Sequence, residues 1–251
     1  MSNTMAIWNE VQKTDPKYTK EYSGAGGFSG TAISGHYMVM KATEMFGPIG
    51  IGWGYTIEEE RYDSGAAVSW DADGNETARA MTHVMRLKLW FDNGGQRGEV
   101  EHFGITPYVY TSGGYNNKPL RIITDHEAPK KSLTDALKKC LSMIGFGADV
   151  YLGEFDDEYY VQTVSSEFEI ERAENKDEER ERQRQAYLHK MEQLAKQIRE
   201  AVNITMLKAV FKEAVRKANY RNDTKMVARI NELYEERLAA LQQTEEKEGG
   251  K

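Results

Sequence analysis

The run THVMRLKLWF at residues 82–91 constrains the fold more than any other part of this chain. Met85, Leu87, Leu89 and Phe91 alternate with Val84, Arg86, Lys88 and Trp90. Successive side chains of a strand point to opposite faces, so the pattern gives a half-buried strand with one apolar face. DNGG at 92–95 follows, with residues that tolerate positive φ, and this predicts a hairpin turn. RGEVEHFGITPYVY then reads as the returning strand, and GWGYTIEEERY, from Gly52, as a preceding one. TSGGYNNKP (111–119) is a loop by composition. These pieces predict a β-meander.

A short helix follows at KKSLTDALKKCLSMIG, residues 130–145. Leu133, Ala136, Leu137, Cys140, Leu141 and Ile144 follow the spacing of a buried stripe. At 100° per residue, Lys131, Asp135, Lys138 and Ser142 fall within about 60° of one another on the opposite face, with Lys139 at the flank. Gly145 and Gly147 supply a stop. The four lysines are notable because the chain is acidic, with 33 Lys+Arg against 40 Asp+Glu over 251 residues. Two readings compete: an ordinary solvated face, or a local groove for an anion. Arg121 and Lys118 just upstream, and Lys20 beside the Gly-rich SGAGG, favour the groove. The backbone amides of that segment are suited to joining them around a phosphate.

After Val164 the composition changes. Residues 1–165 hold 15 Lys+Arg and 22 Asp+Glu, whereas 166–251 hold 18 of each. The acidic excess lies in EEERYD (58–63), DADGNE (71–76) and EFDDE (154–158). The expected organisation is a core over 1–165, a charged helical connector over 166–200 and a helical hairpin tail over 201–251. In the tail, Met206, Leu207, Val210, Phe211, Ala214 and Val215 share one face. Met226, Val227, Ile230, Leu233, Tyr234, Leu238 and Leu241 share another. Asn222 or Asp223 caps the second helix.

A global basic footprint, the usual sign of nucleic-acid binding, is absent, so any such binding must use a focused patch. No apolar run approaches the roughly 20 residues that span a bilayer, and the N-terminus does not read as a signal peptide. The single cysteine, Cys140, excludes an intrachain disulfide and fits a reducing cytoplasm. It falls on the apolar stripe and reads as core. SGAGGFSG (23–30) and GPIGIGWG (47–54) lack the Gly-Lys-Ser/Thr ending of a phosphate-binding loop. None of the five histidines forms a ligand pair at helical spacing, and TDHE (124–127) reads as a turn before the helix rather than a metal site. Asp156 and Asp157 are equally weak as metal ligands. With no nucleophile–base pairing, the chain is expected not to be an enzyme and to need no cofactor or metal.

Three segments carry a family resemblance. ISGHYMVMKATEMFGPIG, then MRLKLWFDNGG with VEHFG, then SLTDALKKCLSMIG, stand in this order within residues 17 to about 155. Each resembles a signature of the Rad-fifty-two family of single-strand annealing proteins, and GFGADVYLGEFDD looks most like its phage branch. The resemblance implies an α+β fold: a β-β-β-α annealing core with an all-helical C-terminal tail, assembled as a ring or helical filament. It implies ATP-independent binding of single-stranded DNA and annealing of complementary strands in homologous recombination, in a basic groove between subunits. The family's paired basic residues map onto Lys138 and Lys139. Lys130 matches a basic family position, Lys131 is a local addition, and Lys20 matches approximately. Ser142 stands where the family has an arginine. Expected partners are single-stranded DNA, further copies of the chain, and a single-strand-binding protein or exonuclease at the tail, with no membrane. The expected location is the cytoplasm, that of the bacterial host for a phage-encoded chain. The rival reading is a ring-forming scaffold that recruits recombination partners through the tail. Tyr22, Phe28 and Tyr115 are candidate base-stacking residues, each set against a role in core or loop.

Overall fold

The computed structural model describes residues 4–23, 27, 29–114 and 119–249. The chain divides into two compact units, residues 1–156 and 157–251. The first is α+β. It opens with α1 (Ala6–Val11), a 3-10 turn (Pro16–Tyr18), the antiparallel hairpin of β1 (Thr19–Ser23) and β2 (Ser29–Ile33), and α2 (Gly35–Phe46). An antiparallel meander follows in chain order: β3 (Trp53–Trp70), β4 (Glu76–Asn93), β5 (Gln96–Ser112) and β6 (Arg121–Thr124). Then come α3 (Ala128–Ser142), α4 (Ala148–Tyr151) and a 3-10 turn at Glu154–Asp156. The meander has one more strand than the sequence predicts, the four-residue β6 between β5 and α3.

The turn chemistry sets the register. Asn93 pairs with Gln96, and Gly94 and Gly95 both have positive φ, at 66° and 87°. That mirror-image turn matches the right-handed twist of the strands it joins. The Gly95 N–H donates to Asp92 Oδ1 at 2.6 Å. Between β3 and β4, Asp71 Oδ1 accepts from the amides of Asp73 and Asn75. A register shift between Ile57 and Glu59 bulges β3.

The apolar face of β4 is buried as the alternation requires. Leu87 and Leu89 are fully covered, with Met85 and Phe91 beside them and Trp53 of β3 across the pair. α3 lays Ala136, Cys140 and Leu141 on this face, with Leu133, Leu137 and Ile144 partly buried at its margins. Its seat is set by a glycine: a Cβ on Gly104 of β5 would overlap the Ser132 carbonyl. Ser132 Oγ donates to the His83 carbonyl at 3.3 Å, and Cys140 Sγ lies 3.8 Å from the Leu87 carbonyl. Burial pushes the Cys140 thiol up to about 11, so it is core, not nucleophile.

A polar staple fastens the N-terminal segment to the region after α3. Thr14 donates its N–H and its hydroxyl to the two carboxylate oxygens of the buried Asp149, each at 2.7 Å. The Gly147 N–H bonds the Val11 carbonyl. Gly147 has a φ of 68°, and a Cβ there would meet Ile33.

The second unit is all-helical: α5 (Glu158–Arg172), α6 (Lys176–Arg199), α7 (Ile204–Tyr220) and α8 (Thr224–Gly249). Asp157, Asn175 and Asn203 cap the first three by accepting the amides of Tyr159, Glu178 and Met206. Asp223 Oδ1 accepts the Met226 amide at the start of α8, beside Asn222 at φ 52°. α7 and α8 bury Leu207, Ala214, Ala218 and Ile230 in one cluster. One boundary and one role differ. The expected break at residue 165 falls inside α5, whose Val164 is buried, and the units part after Asp156. Residues 166–200 also do more than connect. Met191, Leu194, Ala195 and Ile198 of α6 are buried with Leu207, Ala214, Ala218 and Ile230. The α6 residues among these form about two turns of apolar stripe at the end of a helix otherwise dominated by charge. The charge density hides the stripe in the sequence.

Candidate nucleic-acid interface

α3 carries the four lysines on the side away from the sheet, but it does not carry them bare. Lys130 Nζ is 2.8 Å from Glu127, Lys131 is 2.6 Å from Asp125 and Lys139 is 2.9 Å from Asp135. Each carboxylate lies three to six residues upstream, on the helix or the turn that begins it. Asp125 raises the Lys131 ammonium's pKa by a direct hydrogen bond, and its own carboxyl is held below the usual range chiefly by that bond. Asp135 Oδ2 also accepts the Ile105 N–H from β5 at 3.3 Å.

Lys138 differs. Among the described residues it makes no ion pair within 4 Å, and partial burial lowers its pKa against an opposing effect of Asp135. Its stem runs past the start of α2, 3.8 Å from where a Cβ on Gly35 would stand. Lys138 and Lys139 line a cleft of about 320 Å³ with Tyr22, Ala32, Asp135 and Tyr151, between the hairpin of β1 and β2 and the helices α3 and α4. A shallower depression lined by Lys130, Lys131, Thr134, Asp135 and Lys138 adjoins it. The two share Asp135 and Lys138, so the four lysines lie along one continuous surface.

The other expected site residues are spread more widely. Lys20 is exposed on β1, and strand alternation puts it on the face of Tyr22, although it does not line the cleft. Arg121 is exposed at the start of the edge strand β6, opposite Ser112, and lines neither depression. Lys118, Phe28, Tyr115 and most of the SGAGG amides lie outside the described residues. Ser142, where the resemblance has an arginine, donates its hydroxyl to the Lys139 carbonyl.

The weaker candidates find structural roles. In TDHE, Asp125 and Glu127 hold Lys131 and Lys130, and the His126 ring stands edge-on to Tyr108. Asp157 caps α5 and binds Arg216, and that contact, followed by the one from the Tyr220 hydroxyl, draws its pKa down to about 2. His83 is fully buried, with Nε2 3.0 Å from Glu60 Oε1 and the Tyr62 ring edge-on.

The outward face of the sheet carries a second set of cations, closed in a ladder. Arg86 meets Glu101 at 3.3 Å, Lys88 meets the same residue at 3.0 Å, and Glu59 lies 3.6 Å from Arg86. Glu59, Arg86, Glu101 and Phe103 line an open depression there. Sequence reasoning missed the importance of Asp135, the carboxylate common to both parts of the lysine surface. Its position four residues before Lys139 was the available signal. It missed Tyr151 altogether, since nothing local ties α4 to the cleft. No helix among the described residues is long and apolar enough to cross a membrane. The sequence matches no family model, and no curated protein matches it.

Proposed function

We propose that the chain binds single-stranded DNA and anneals complementary strands without ATP, as a phage-type member of the Rad-fifty-two family working in a ring or helical filament. The observation that carries this reading is the continuous surface of Lys130, Lys131, Lys138 and Lys139, with Tyr22 in the cleft wall. It lies on the helix whose sequence resembles the family's DNA-binding helix. Lysines meet phosphate as point charges and carry no base information, which suits a protein on which two strands must read each other. Repeating the surface around an assembly gives a long cationic path without a basic subunit.

The carboxylates do not forbid this. Lys130 and Lys131 are 77% and 58% exposed, and Lys139 40%. Exposed ion pairs of this kind contribute about 0–1 kcal/mol each, so a phosphate exchanges readily for Glu127, Asp125 or Asp135. Lys138, with no ion pair among the described residues and partly desolvated, gains most from an arriving anion. The same pairing favours a second reading, a scaffold that assembles and recruits other proteins through its helical unit without holding DNA.

A fluorescence annealing assay with complementary oligonucleotides, with and without ATP and Mg²⁺, separates the two. Annealing that needs neither supports the first reading, together with assemblies well above the 28.6 kDa chain mass in solution. Protein binding without DNA binding supports the second. A chain that stays monomeric with and without single-stranded DNA removes the assembly from both.

A further inference from the structure

The helical unit holds a concavity of a different electrostatic character. A cleft of about 240 Å³ opens among α5, α6 and α7, walled by Tyr159, Tyr187 and Tyr220 and by Lys190, Lys217 and Arg221. Among the described residues no carboxylate lines it. The three clefts of the sheet unit described above each include one. In a chain with 40 Asp+Glu this is a marked local exception.

The nearby acids are engaged at its margin. Glu213 lies 3.3 Å from Lys190, Asp157 binds Arg216 and Tyr220, and Asp223 accepts from the Tyr187 hydroxyl at 3.1 Å. Lys217 and Arg221 make no ion pair among the described residues. Lys217 Nζ stands 4.9 Å from the centre of the Tyr159 ring, with a long 3.5 Å hydrogen bond to Gln162. The Arg221 guanidinium stands 5.2 Å from the centre of the Tyr187 ring. Cation–π contacts orient these two heads without neutralising them.

The geometry points to a binding site for an acidic peptide segment of a partner protein, an Asp or Glu carboxylate taken between Lys217 and Arg221. The ring surfaces argue against a nucleic-acid strand. Tyr159 is stacked on Tyr220 at 5.9 Å and also carries Arg216 and Lys217. Tyr187 carries Arg221, and the Tyr187 and Tyr220 hydroxyls are held by Asp223 and Asp157, so these rings are already engaged and are poor platforms for a base. Glu213, Asp157 and Asp223 at the margin stand against a long run of phosphates, whereas a short acidic segment needs only one carboxylate in the cleft. Charge-assisted hydrogen bonds from an ammonium and a guanidinium are the strong kind, and the guanidinium fork fits a carboxylate. This site does not depend on strand annealing.

The test uses the full chain, free of DNA, and a fluorescein-labelled Gly-Glu-Asp-Glu-Gly peptide, followed by polarisation. The amide analogue Gly-Gln-Asn-Gln-Gly and a labelled single-stranded oligonucleotide are the parallel probes. The acidic peptide should bind and its amide analogue should not. Lys217→Met with Arg221→Met should weaken the acidic peptide by about tenfold or more, which is about 1.4 kcal/mol. The exposed pair Lys208→Met with Lys212→Met, of equal charge change, should leave it within about twofold, as expected of screened surface charges. Annealing by the Lys217/Arg221 variant should stay at the wild-type level, and its helical circular dichroism and thermal melting should match the parent, which shows that the helical unit is folded. Equal binding of both peptides overturns the inference. So does equal loss in the two variants, or a loss confined to the oligonucleotide.

Discussion

The lysines of α3 and the cations of α7 are alike in chemistry and held in different ways. Three of the four on α3 meet a carboxylate within 3 Å, supplied by the same helix or the turn before it. Lys217 and Arg221, at the end of α7, lean on tyrosine rings from α5 and α6, while other partners hold the neighbouring carboxylates. The segment richest in lysine is therefore not the cleft freest of negative charge. Basic residues in a stretch of sequence give a basic surface only after the acids three or four positions away have been set against them. Exposed pairs are also exchangeable, so α3 resembles a store of cations released by a stronger anion, whereas the α7 cleft is already poised.

The largest expected effect separates the two regions. Gly104→Ala drives a Cβ into the Ser132 carbonyl and lifts α3 from the sheet. Overpacking of this kind costs about 1–3 kcal/mol, here against backbone rather than a yielding side chain. Denaturant unfolding should show that loss, and single-stranded DNA binding should weaken. Binding of the acidic peptide to the α7 cleft should survive while the helical unit remains folded. Joint loss of both activities in a folded variant would break the division between the regions.

Asp135→Asn sharpens the idea of stored cations. It removes the negative charge beside Lys139 while keeping an acceptor for the Ile105 amide. Single-stranded DNA should bind roughly two- to fivefold tighter, the scale of one exposed ion pair. Weaker binding in titrations at fixed salt would mean that Asp135 orients Lys139 for the strand instead of competing with it.

A smaller effect concerns acid. Asp157 titrates near 2 instead of its ordinary 3.8, held down first by Arg216 and then by Tyr220. A depressed carboxyl contributes stability that is fully present above its unfolded value and is lost as pH falls through the folded one. Asp157→Asn should thus melt earlier than the parent at pH 6, by the equivalent of under about 1 kcal/mol for a partly exposed pair. The two thermal curves should converge as pH falls from about 4 towards 2. A gap that persists at low pH would assign the effect to helix capping alone.

Much of the sheet unit was legible because its signals are local. Period-two alternation in β4, the Asn93-Gly94-Gly95 turn and the stripe of Leu133, Ala136, Leu137 and Cys140 each lie within a few residues. What could not be read was tertiary. Gly104 looks like any strand glycine until Ser132 is set beside it, and Thr14 and Asp149 are 135 residues apart. β6 leaves no mark in the sequence because four residues are too few to show a period. In the helical unit, the sequence of α6 reads as a connector because its charged first half outweighs Met191, Leu194 and Ile198 at its end. At the candidate site the lysines were visible and their shared surface followed from one helix face. Tyr151 and the depression it lines were not visible, since α4 reaches them only through the fold.

The salt dependence of single-stranded DNA binding tests the central proposal most directly. Lys138→Ala with Lys139→Ala removes the two lysines of the cleft, both off the buried stripe and both at positions where alanine favours the helix. Lys208→Ala with Lys212→Ala removes two exposed lysines from α7. If α3 holds the strand, the first pair should weaken binding with little regard to sequence. It should also lower the slope of log K against log salt by roughly 0.7 for each phosphate that no longer meets a lysine, with the second pair near wild type. Equal, small losses for the two pairs in folded proteins would contradict the proposal, leaving the lysines of α3 as an ordinary solvated face.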